Sequence, residues 1–293
     1  MREAESVLAA AGVSSPRVDA EILAAHLLGV GRGELGVAVA LGRPAPAGLA
    51  ALVARRAQRV PLQHLVGSAP FRGIEVAVGP GVFVPRPETE AVAGIAIAAA
   101  AEASARTGGA LVVDLCTGSG AIALAVATEV PGARVHAVEL DAAAHGWAAR
   151  NLDGHRVTLH RGDARTALTA LDGTVDVVVS NPPYVPPGAV PVDPEVARHD
   201  PAVALYGLGP DGLEVPRGIV GAAARLLRPG GLLVMEHAEV QAAGARAIVD
   251  ATGAFGPART EDDLTGRPRM VVARRAPHAA SPAAHDDMKH SPS

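Results

Sequence analysis

The residues with the clearest potential for chemistry are Asn181-Pro182-Pro183-Tyr184, which follow the apolar run Val175–Ser180. This run predicts a buried strand, and in parallel sheets ligands bind beyond the carboxyl ends of the strands. The Asn181 side-chain oxygen and the Pro182 backbone carbonyl could accept hydrogen bonds from both N–H groups of a planar amine or amide. Because proline has a restricted φ and no N–H donor, the two prolines would hold these acceptors in place.

The chemistry that this tetrapeptide suits is methyl transfer to nitrogen. An amide nitrogen is a poor nucleophile because its lone pair is delocalised into the carbonyl, and acceptors on its N–H groups would orient it and increase its electron density. Tyr184 could cover the planar group with its ring or hydroxyl. Near-attack placement could supply about 7–11 kcal/mol at best, so this mechanism needs neither a metal nor a general base. Taken alone, however, an Asn-Pro-Pro segment could simply be a turn that ends a strand.

A second motif, upstream in the chain, predicts a nucleoside-containing ligand. The predicted strand Leu111–Leu115 is followed by the turn Cys116–Gly120, whose small residues allow close approach of the backbone, and by a helix whose first N–H groups are free. Glu139 ends the next predicted strand, where an acid typically binds ribose hydroxyls. Asp163, after the third strand, could accept a hydrogen bond from an adenine amino group. The glycine spacing also fits a dinucleotide fingerprint, so at this point a nicotinamide cofactor is an alternative.

The elements that position these residues alternate between strand and helix from Leu111 onward. The predicted strands are Leu111–Leu115, Val135–Leu140, Val157–His160, Val175–Ser180, Leu232–Glu236 and Met270–Ala273. This alternation predicts a mainly parallel sheet with helices on both faces. Aromatic residues make up only 2% of the chain, so its core must be built from Ala, Val, Leu and Ile, which favours this architecture over an aromatic-filled sandwich.

The rest of the chain predicts smaller units around that sheet. The predicted divisions are a helical domain (1–60), a β-hairpin linker (61–87), a catalytic domain (88–275) and a disordered tail (276–293). Within the helical domain, Gly29–Gly33 is predicted to separate two helices. The hairpin is predicted to pair Ile74–Val78 with Val82–Val84. Pro87 suits the first position of the next helix.

Composition excludes several classes of protein. Cys116 is the only cysteine, which rules out an intramolecular disulfide framework and a cysteine-based zinc site and suits a reducing cytosol. We expect a cytoplasmic protein, because no apolar run predicts a membrane span and the N-terminus is unlike a signal peptide. A net charge of −4 argues against nucleic acid as the main partner.

Further motifs between Arg17 and Arg274 support a resemblance to one family. These motifs are Arg17-Val18-Asp19-Ala20-Glu21, Pro61-Leu62-Gln63-His64-Leu65-Val66-Gly67, Phe83-Val84-Pro85-Arg86-Pro87-Glu88-Thr89-Glu90, Asp200-Pro201, Gly209-Pro210-Asp211-Gly212-Leu213 and Arg228-Pro229-Gly230-Gly231. Together with Asn181–Tyr184, they resemble the protein-(glutamine-N5) methyltransferases of the PrmC/HemK type, which modify peptide chain release factors.

The resemblance implies a class I methyltransferase fold, a seven-stranded Rossmann-like sheet preceded by a helical domain that binds the release factor. The implied donor is S-adenosyl-L-methionine, which leaves S-adenosyl-L-homocysteine, with no metal. The implied acceptor is the glutamine of the Gly-Gly-Gln motif in class 1 release factors, and we expect a monomer. The implied donor-binding residues are Cys116, Thr117, Gly118, Ser119, Gly120, Glu139, Asp163, Ala164 and Asn181. The implied acceptor-binding residues are Asn181, Pro182, Pro183 and Tyr184, of which Asn181, Pro182 and Tyr184 are the predicted catalytic residues.

Three positions depart from the family pattern. Cys116 stands where a glycine commonly opens the turn, and we expect it to be tolerated there with a negative φ. Ala164 stands where relatives often carry an aromatic residue that could stack on adenine. Asp200 precedes Pro201 where Glu-Pro is common, which shortens the carboxylate side chain but keeps its charge.

Three other functions remain as alternatives. An adenine-N6 nucleic-acid methyltransferase could use the same tetrapeptide, but residues 1–60 are only mildly basic, with seven Arg against five acids. A nicotinamide oxidoreductase would leave Asn181–Tyr184 without a role. A non-enzymatic adaptor with the same fold is disfavoured because the site residues are intact.

Overall fold

The computed structural model describes residues 1–277 of the chain. The predicted disordered tail, residues 276–293, lies outside the described residues except for its first two positions. Within residues 1–277, no single helix is long and apolar enough to span a membrane. One pair of helices, Pro16–Leu28 and Arg32–Ala40, passes the length and composition test together but is bent by 93°.

Short helices form the N-terminal region, and they pack around a small core of their own. They are α1 (Arg2–Ala10), α2 (Pro16–Leu28), α3 (Arg32–Ala40), α4 (Leu49–Ala57) and α5 (Leu62–Val66). Leu8, Leu23 and Val53 lie at the centre of this core. Gly29 ends α2 in the left-handed conformation, as a helix-ending glycine commonly does. The predicted break at Gly29–Gly33 is too long, because α3 already begins at Arg32.

The predicted boundary at residue 60 separates two segments that pack together. Leu65 of α5 lies after that boundary, yet it is buried in the same core as Leu8 and Leu23. The division at residue 60 stays a prediction.

The connector is a β-hairpin, but a different one from the prediction. β1 (Ser68–Phe71) pairs antiparallel with β2 (Ile74–Ala77), and Val82–Val84 is not a strand. The reason is the two-residue turn Arg72-Gly73, where both residues have positive φ, 46° and 74°. Positive φ at both positions is the requirement of the tightest hairpin turn, and an arginine gives no sequence signal for it.

In the described part of the chain, seven strands form one main sheet in the order β5-β4-β3-β6-β7-β9-β8. Its elements are α6 (Thr89–Thr107), β3 (Ala110–Leu115), α7 (Ala121–Glu129), β4 (Ala133–Glu139), α8 (Ala142–Leu152), β5 (Val157–Arg161), β6 (Val175–Ser180), α9 (Pro194–His199), α10 (Ala202–Leu205), α11 (Glu214–Leu226), β7 (Leu227–Glu236), α12 (Ala242–Ala251), β8 (Arg259–Asp262) and β9 (Pro268–Arg274). All neighbouring strands are parallel except that β9 is antiparallel to both β7 and β8. The predicted mainly parallel sheet is confirmed.

Two differences from the predicted elements have local causes. β8 was not predicted, because Arg-Thr-Glu-Asp is a polar strand with no buried residue and therefore carries no hydrophobic pattern. Helix α6 begins at Thr89 rather than at Pro87, which lies in the turn before it.

The two faces of the main sheet are covered by different helices. Helices α6, α7 and α8 pack on one face, and α11 and α12 pack on the other, with alanine, valine and leucine filling both layers. The parallel strands β4, β3, β6 and β7 all end at the same edge. The chain leaves β3 toward β4 on one side and returns to β6 on the other, which is the topological switch where such sheets bind ligands.

Candidate active site

A buried carboxylate stabilises the turn after β3. Asp114 is fully buried, and its Oδ2 accepts hydrogen bonds from the Thr117 hydroxyl (2.5 Å) and the Ala123 backbone N–H (3.2 Å). Burial raises the pKa of Asp114 to about 7, against the opposing effect of these two donors. The bonds tie the turn to the first turn of α7, so the backbone there has a fixed shape.

Glu139, at the end of β4, is bound to the same turn. Its Oε2 accepts from the backbone N–H of Gly118 and its Oε1 from that of Asp141, both at 2.8 Å. Burial raises the pKa of this carboxyl, and the two N–H donors oppose the rise. Each carboxylate oxygen keeps a second lone pair, so Glu139 can still accept hydrogen bonds from a pair of ligand hydroxyls. Asp141 caps α8 by accepting from two backbone N–H groups of its first turn.

Cys116 has a positive φ of 63°, so the expectation of a negative φ is wrong. The left-handed conformation favours glycine because a Cβ atom crowds the following carbonyl, at a cost of about 1–2 kcal/mol. Burial raises the pKa of the Cys116 thiol, which therefore stays protonated. The residue that departs from the family pattern thus adopts the left-handed conformation that glycine favours.

The residues after β5 have a partner that the sequence did not suggest. The Asp163 carboxylate binds the Arg165 guanidinium, with Arg165 Nη2 2.6 Å from Asp163 Oδ2, and it also accepts from the Arg165 backbone N–H at 2.9 Å. The Arg165 side chain, by its hydrogen bonds, lowers the pKa of Asp163. Ala164 is buried next to it. An adenine amino group would therefore share Asp163 with Arg165.

Asn181 and Tyr184 are joined through two side chains to which the sequence assigned no role in the site. Asn181 Nδ2 donates to Thr89 Oγ1 at 3.3 Å, and the Thr89 hydroxyl donates to Glu236 Oε2 at 2.8 Å. The Tyr184 hydroxyl donates to the other oxygen of Glu236 at 3.3 Å. Thr89 and Glu236 are both buried. Among the described residues, neither Asn181 Oδ1 nor the Pro182 carbonyl accepts a protein hydrogen bond.

A sequence signal existed for both of the missed residues. Glu236 is an acid at the end of an apolar strand, the same pattern that pointed to Glu139. Thr89 lies in the motif Phe83–Glu90, which carried part of the family resemblance and also lines the site. Burial raises the pKa of the Tyr184 phenol, and the nearby Glu236 carboxylate adds to the rise, so the phenol stays protonated as a donor.

A segment around α9 forms the outer wall of the acceptor side and is fastened to the N-terminal helices. Glu195 of α9 accepts from Arg56 Nη1 at 2.6 Å and from Arg59 Nη2 at 2.7 Å. Arg56 also binds Asp19 of α2 at 2.6 Å, so one arginine of α4 joins two carboxylates. Burial opposes ionisation of Glu195, but hydrogen bonds from Arg59 and Arg56 outweigh it and hold its pKa below the ordinary value.

A further ion pair joins the linker to the segment around α9. Arg86 Nη2 lies 2.8 Å from Asp200 Oδ2, whose side chain is almost fully buried. Burial raises the pKa of Asp200 to about 6, although Arg86 opposes the rise. The shorter acid at position 200 therefore still reaches the arginine of the Pro85–Glu90 segment.

One cavity of about 770 Å³ connects the two sides of the site. Its size lies within the range of small-molecule sites. Of the predicted site residues, those that line it are Cys116, Thr117, Gly118, Ser119, Glu139, Asp163, Ala164, Asn181, Pro182, Pro183 and Tyr184. Gly120 does not line it: with φ at 85°, it packs under Leu152, whose Cγ would lie 3.1 Å from an added Cβ.

The donor side of this cavity suits S-adenosyl-L-methionine. Glu139 presents a carboxylate to hydroxyls, the turn presents backbone to a close ligand, and Ala164 leaves apolar space beside them. Among residues 1–277, no group of three or more His, Cys, Asp or Glu side chains is arranged to hold a metal ion.

Comparisons with known proteins agree with this arrangement. A family model of the PrmC N-terminal domain matches residues 1–67, and one of the methyltransferase small domain matches residues 95–196. The chain is similar to a solved rRNA guanine-N2 methyltransferase (RsmC) of Thermus thermophilus in complex with AdoMet and guanosine. That similarity has a TM-score of 0.50 and 25% identity, over 71% of this chain and 49% of the other. The sheet, its switch point and the cavity there are those of a class I S-adenosylmethionine-dependent methyltransferase.

Curated relatives narrow the class to a family. The chain is 52% identical over 275 residues to a release factor glutamine methyltransferase of Streptomyces coelicolor, which covers 94% of this chain and 96% of the relative. It is 51% identical to one of Mycolicibacterium smegmatis, over 93% and 95% of the two chains. The chain therefore belongs to the release factor glutamine methyltransferase family, as the motifs predicted.

A further relative has a different acceptor. A 4-amino-L-phenylalanine/4-methylamino-L-phenylalanine methyltransferase of Streptomyces pristinaespiralis is 44% identical over 260 residues, 87% of this chain and 88% of the relative. Its acceptor is an aryl amine on a free amino acid, so identity of this order is compatible with more than one planar nitrogen acceptor.

Proposed function

We propose that this protein transfers a methyl group from S-adenosyl-L-methionine to the side-chain amide nitrogen, N5, of the glutamine in the Gly-Gly-Gln motif of class 1 peptide chain release factors. The observation that carries the proposal is the single cavity in which Glu139 and the turn after β3 lie on one side and Asn181–Tyr184 on the other. Sequence identity along nearly the whole length of release factor methyltransferases supports the choice of acceptor.

The donor would be held by Cys116–Gly120 and Glu139, with Asp163 and Ala164 beside its adenine. When bound, S-adenosyl-L-methionine would supply a methyl group made electrophilic by its sulfonium, with the C–S bond breaking as the N–C bond forms and one N–H proton of the acceptor lost to water. The residues of this chain then have to orient the acceptor. Near-attack placement of this kind can contribute about 7–11 kcal/mol at best.

On the acceptor side, Asn181 Oδ1 and the Pro182 carbonyl would each accept one N–H of the glutamine amide. These two bonds hold the amide plane in one orientation and increase the electron density on its nitrogen. The absence of competing protein donors on either oxygen, within the described residues, leaves both available for this role. Pro183 restricts the backbone, and Tyr184 covers the amide plane.

This function and its alternatives differ in the group that accepts the methyl. A base amine and an aryl amine are planar and carry N–H groups, so they could bind the same two oxygens. A folded protein acceptor is favoured by the helical domain at residues 1–67 and by the net charge of −4, which disfavours nucleic acid. We accordingly propose a cytoplasmic monomer that acts on release factors, with no nucleic-acid or membrane partner.

The test uses the full-length chain with methyl-labelled S-adenosyl-L-methionine and three acceptors in parallel: a class 1 release factor, a mixture of ribosomal RNA and DNA, and 4-amino-L-phenylalanine. Label should enter the release factor and map to the Gly-Gly-Gln glutamine by peptide mass spectrometry. The matched control is the same release factor with that glutamine replaced by asparagine, which should take up no label. Label in nucleic acid or in the amino acid, with the release factor unlabelled, would overturn the proposal.

A further inference from the structure

One buried carboxylate is hydrogen-bonded directly to one end of the acceptor tetrapeptide and, through Thr89, to the other end. Glu236 ends β7 and is 1% exposed. Its Oε2 accepts from the Thr89 hydroxyl at 2.8 Å, and Thr89 Oγ1 in turn accepts from Asn181 Nδ2 at 3.3 Å. Its Oε1 accepts from the Tyr184 hydroxyl at 3.3 Å. The sequence assigned neither Glu236 nor Thr89 a role in acceptor binding.

Asn181 needs such a contact because its side-chain amide has two faces of opposite character. The oxygen accepts hydrogen bonds and the NH₂ group donates them, and the two groups are almost equal in size. If the NH₂ group faced the cavity, two hydrogen-bond donors would face each other: the NH₂ group of Asn181 and the N–H of the substrate amide. The amide must therefore be turned so that its oxygen, and not its nitrogen, reaches the substrate.

The direction of each hydrogen bond follows from the charge of Glu236. An ionised carboxylate can only accept, so the Thr89 hydroxyl must donate its single hydrogen to it. Thr89 Oγ1 can then only accept from its other neighbour, which turns Asn181 Nδ2 toward it. Asn181 Oδ1 is left facing away from Thr89, and Asn181 is one of the residues that line the cavity. The two contacts of 3.3 Å, Asn181 to Thr89 and Tyr184 to Glu236, are long for hydrogen bonds, as those of catalytic groups often are without substrate.

We propose that Glu236 and Thr89 are positioning residues that fix the orientation of the Asn181 amide, with Glu236 also holding the Tyr184 ring against the acceptor. The proposal rests on the acceptor role of Asn181 in the proposed function. It makes the site's selectivity for an N–H donor depend on two residues that act through Asn181.

Protonation of Glu236 would remove this directionality, because a carboxylic acid can donate as well as accept. Among the described residues, the charged and titratable groups facing it are Tyr184, Arg269 of β9 and Glu88 before α6. Burial raises the pKa of Glu236 to about 7, although the Thr89 hydroxyl and the Arg269 guanidinium oppose the rise. We therefore expect turnover to decrease as the pH falls through about 7.

A matched pair of substitutions at Thr89 tests the proposal. Thr89→Val keeps the shape but can neither donate nor accept, and Thr89→Ser keeps the hydroxyl. Thr89→Val should lower kcat for the release factor by about 10–100-fold, the equivalent of one hydrogen bond to a charged group, whereas Thr89→Ser should recover most of it. The Kd of S-adenosyl-L-methionine, measured by calorimetry, should change in neither variant. Equal kcat values in Thr89→Val and the unsubstituted protein would overturn the proposal.

Glu236→Gln tests the same relay through its pH dependence. The acidic limb of the kcat profile should be present in the unsubstituted protein and absent in Glu236→Gln. A purely structural role for Glu236 would lower kcat at every pH and leave the limb in place, which would contradict the proposal.

A measurement without turnover separates this proposal from the proposed function. In ¹⁵N-labelled protein, the Asn181 side-chain NH₂ resonances, assigned from their loss in Asn181→Asp, should shift as Glu236 titrates and should not shift in Glu236→Gln. Invariant resonances would overturn the relay even if the release factor is methylated. If an amine takes up the label instead, the proposed function fails, but the Thr89 pair still tests the relay on that amine.

Discussion

The two sides of the cavity are built in different ways. The donor side comes mostly from one short stretch, residues 114–141, with Asp163 and Ala164 beyond it, and most of its hydrogen bonds join a side chain to nearby backbone. The acceptor side takes Thr89, Asn181 and Glu236 from three separate parts of the chain and joins them side chain to side chain. Its outer wall, around α9, is fastened to a different group of helices.

This difference predicts how each side responds to change. A site made from contiguous backbone keeps its shape while its own strand and helix are folded, because its donors are fixed by secondary structure. A site made from distant side chains depends on every element that carries one of them. Substitutions far from the cavity should therefore alter acceptor use before they alter donor binding.

The largest expected effect is that of Asn181→Ala. Loss of a preorganised polar group that acts on the reacting atoms costs about 10²–10³-fold in kcat, so turnover on the release factor should fall by that factor. Donor affinity should stay nearly unchanged, because Glu139 and the turn keep their contacts. Calorimetry for the donor and initial rates for the acceptor measure the two effects separately.

The matched control for Asn181→Ala is Glu139→Ala, on the donor side. It removes the carboxylate that would accept hydrogen bonds from the hydroxyls of S-adenosyl-L-methionine. Binding of S-adenosyl-L-methionine should weaken by about 1.5–3 kcal/mol, the value of hydrogen bonds to a charged group. If Asn181→Ala weakened donor binding as strongly as Glu139→Ala does, the two sides would not be separate.

An intermediate effect is expected from Glu195→Gln, at the junction between α9 and the N-terminal helices. It leaves Arg59 without its buried carboxylate partner and Arg56 with Asp19 alone, and it should lower the free energy of unfolding by about 2 kcal/mol. The KM for the release factor should rise with no change in donor Kd, because only the acceptor wall is loosened. Urea unfolding and steady-state kinetics measure these two results.

The ion pairs of Glu195 with Arg56 and Arg59 also predict that stability depends on pH. The pKa of Glu195 is lowered in the folded state, so its stabilisation is present above the ordinary value of 4.5 and is lost as the pH falls below it. Glu195→Gln should therefore show a smaller loss of stability on acidification. If the variant lost as much stability on acidification as the unsubstituted protein, groups other than Glu195 would cause the acid dependence, and this prediction would be wrong.

The smallest effect is expected at Cys116, on the donor side. Cys116→Ala keeps a Cβ at a positive φ and loses the thiol, whereas Cys116→Gly removes the Cβ as well. Relief of the left-handed strain, about 1–2 kcal/mol, is partly offset by the greater freedom of glycine in the unfolded chain, about 0.5–1 kcal/mol. The glycine variant should therefore be the more stable of the two by less than about 1 kcal/mol in thermal unfolding. A glycine variant less stable than the alanine variant would contradict the strain at this position.

Much of the fold could be predicted because its signals are local. Val175–Ser180 is apolar apart from Asp176 and Ser180 and is followed by Asn181 and a proline pair, and the structure has that strand with the same ends. The failures are also local: the Arg72-Gly73 turn requires a left-handed arginine, and β8 is a polar strand that pairs only through its backbone. Neither has a side-chain pattern, so single-sequence reasoning had nothing to detect.

Of the candidate site, the sequence by itself determined the two motifs, because each is a strand followed by its own loop and needs no distant contact to be recognised. Only the tertiary structure decided what supports Asn181. Glu236 and Thr89 are 147 positions apart and Thr89 and Asn181 are 92 apart. They meet because α6 begins, and the parallel strands β6 and β7 end, at one edge of the main sheet. Hydrogen bonds between such distant side chains follow from how the strands are ordered, and strand order is not written in any local pattern.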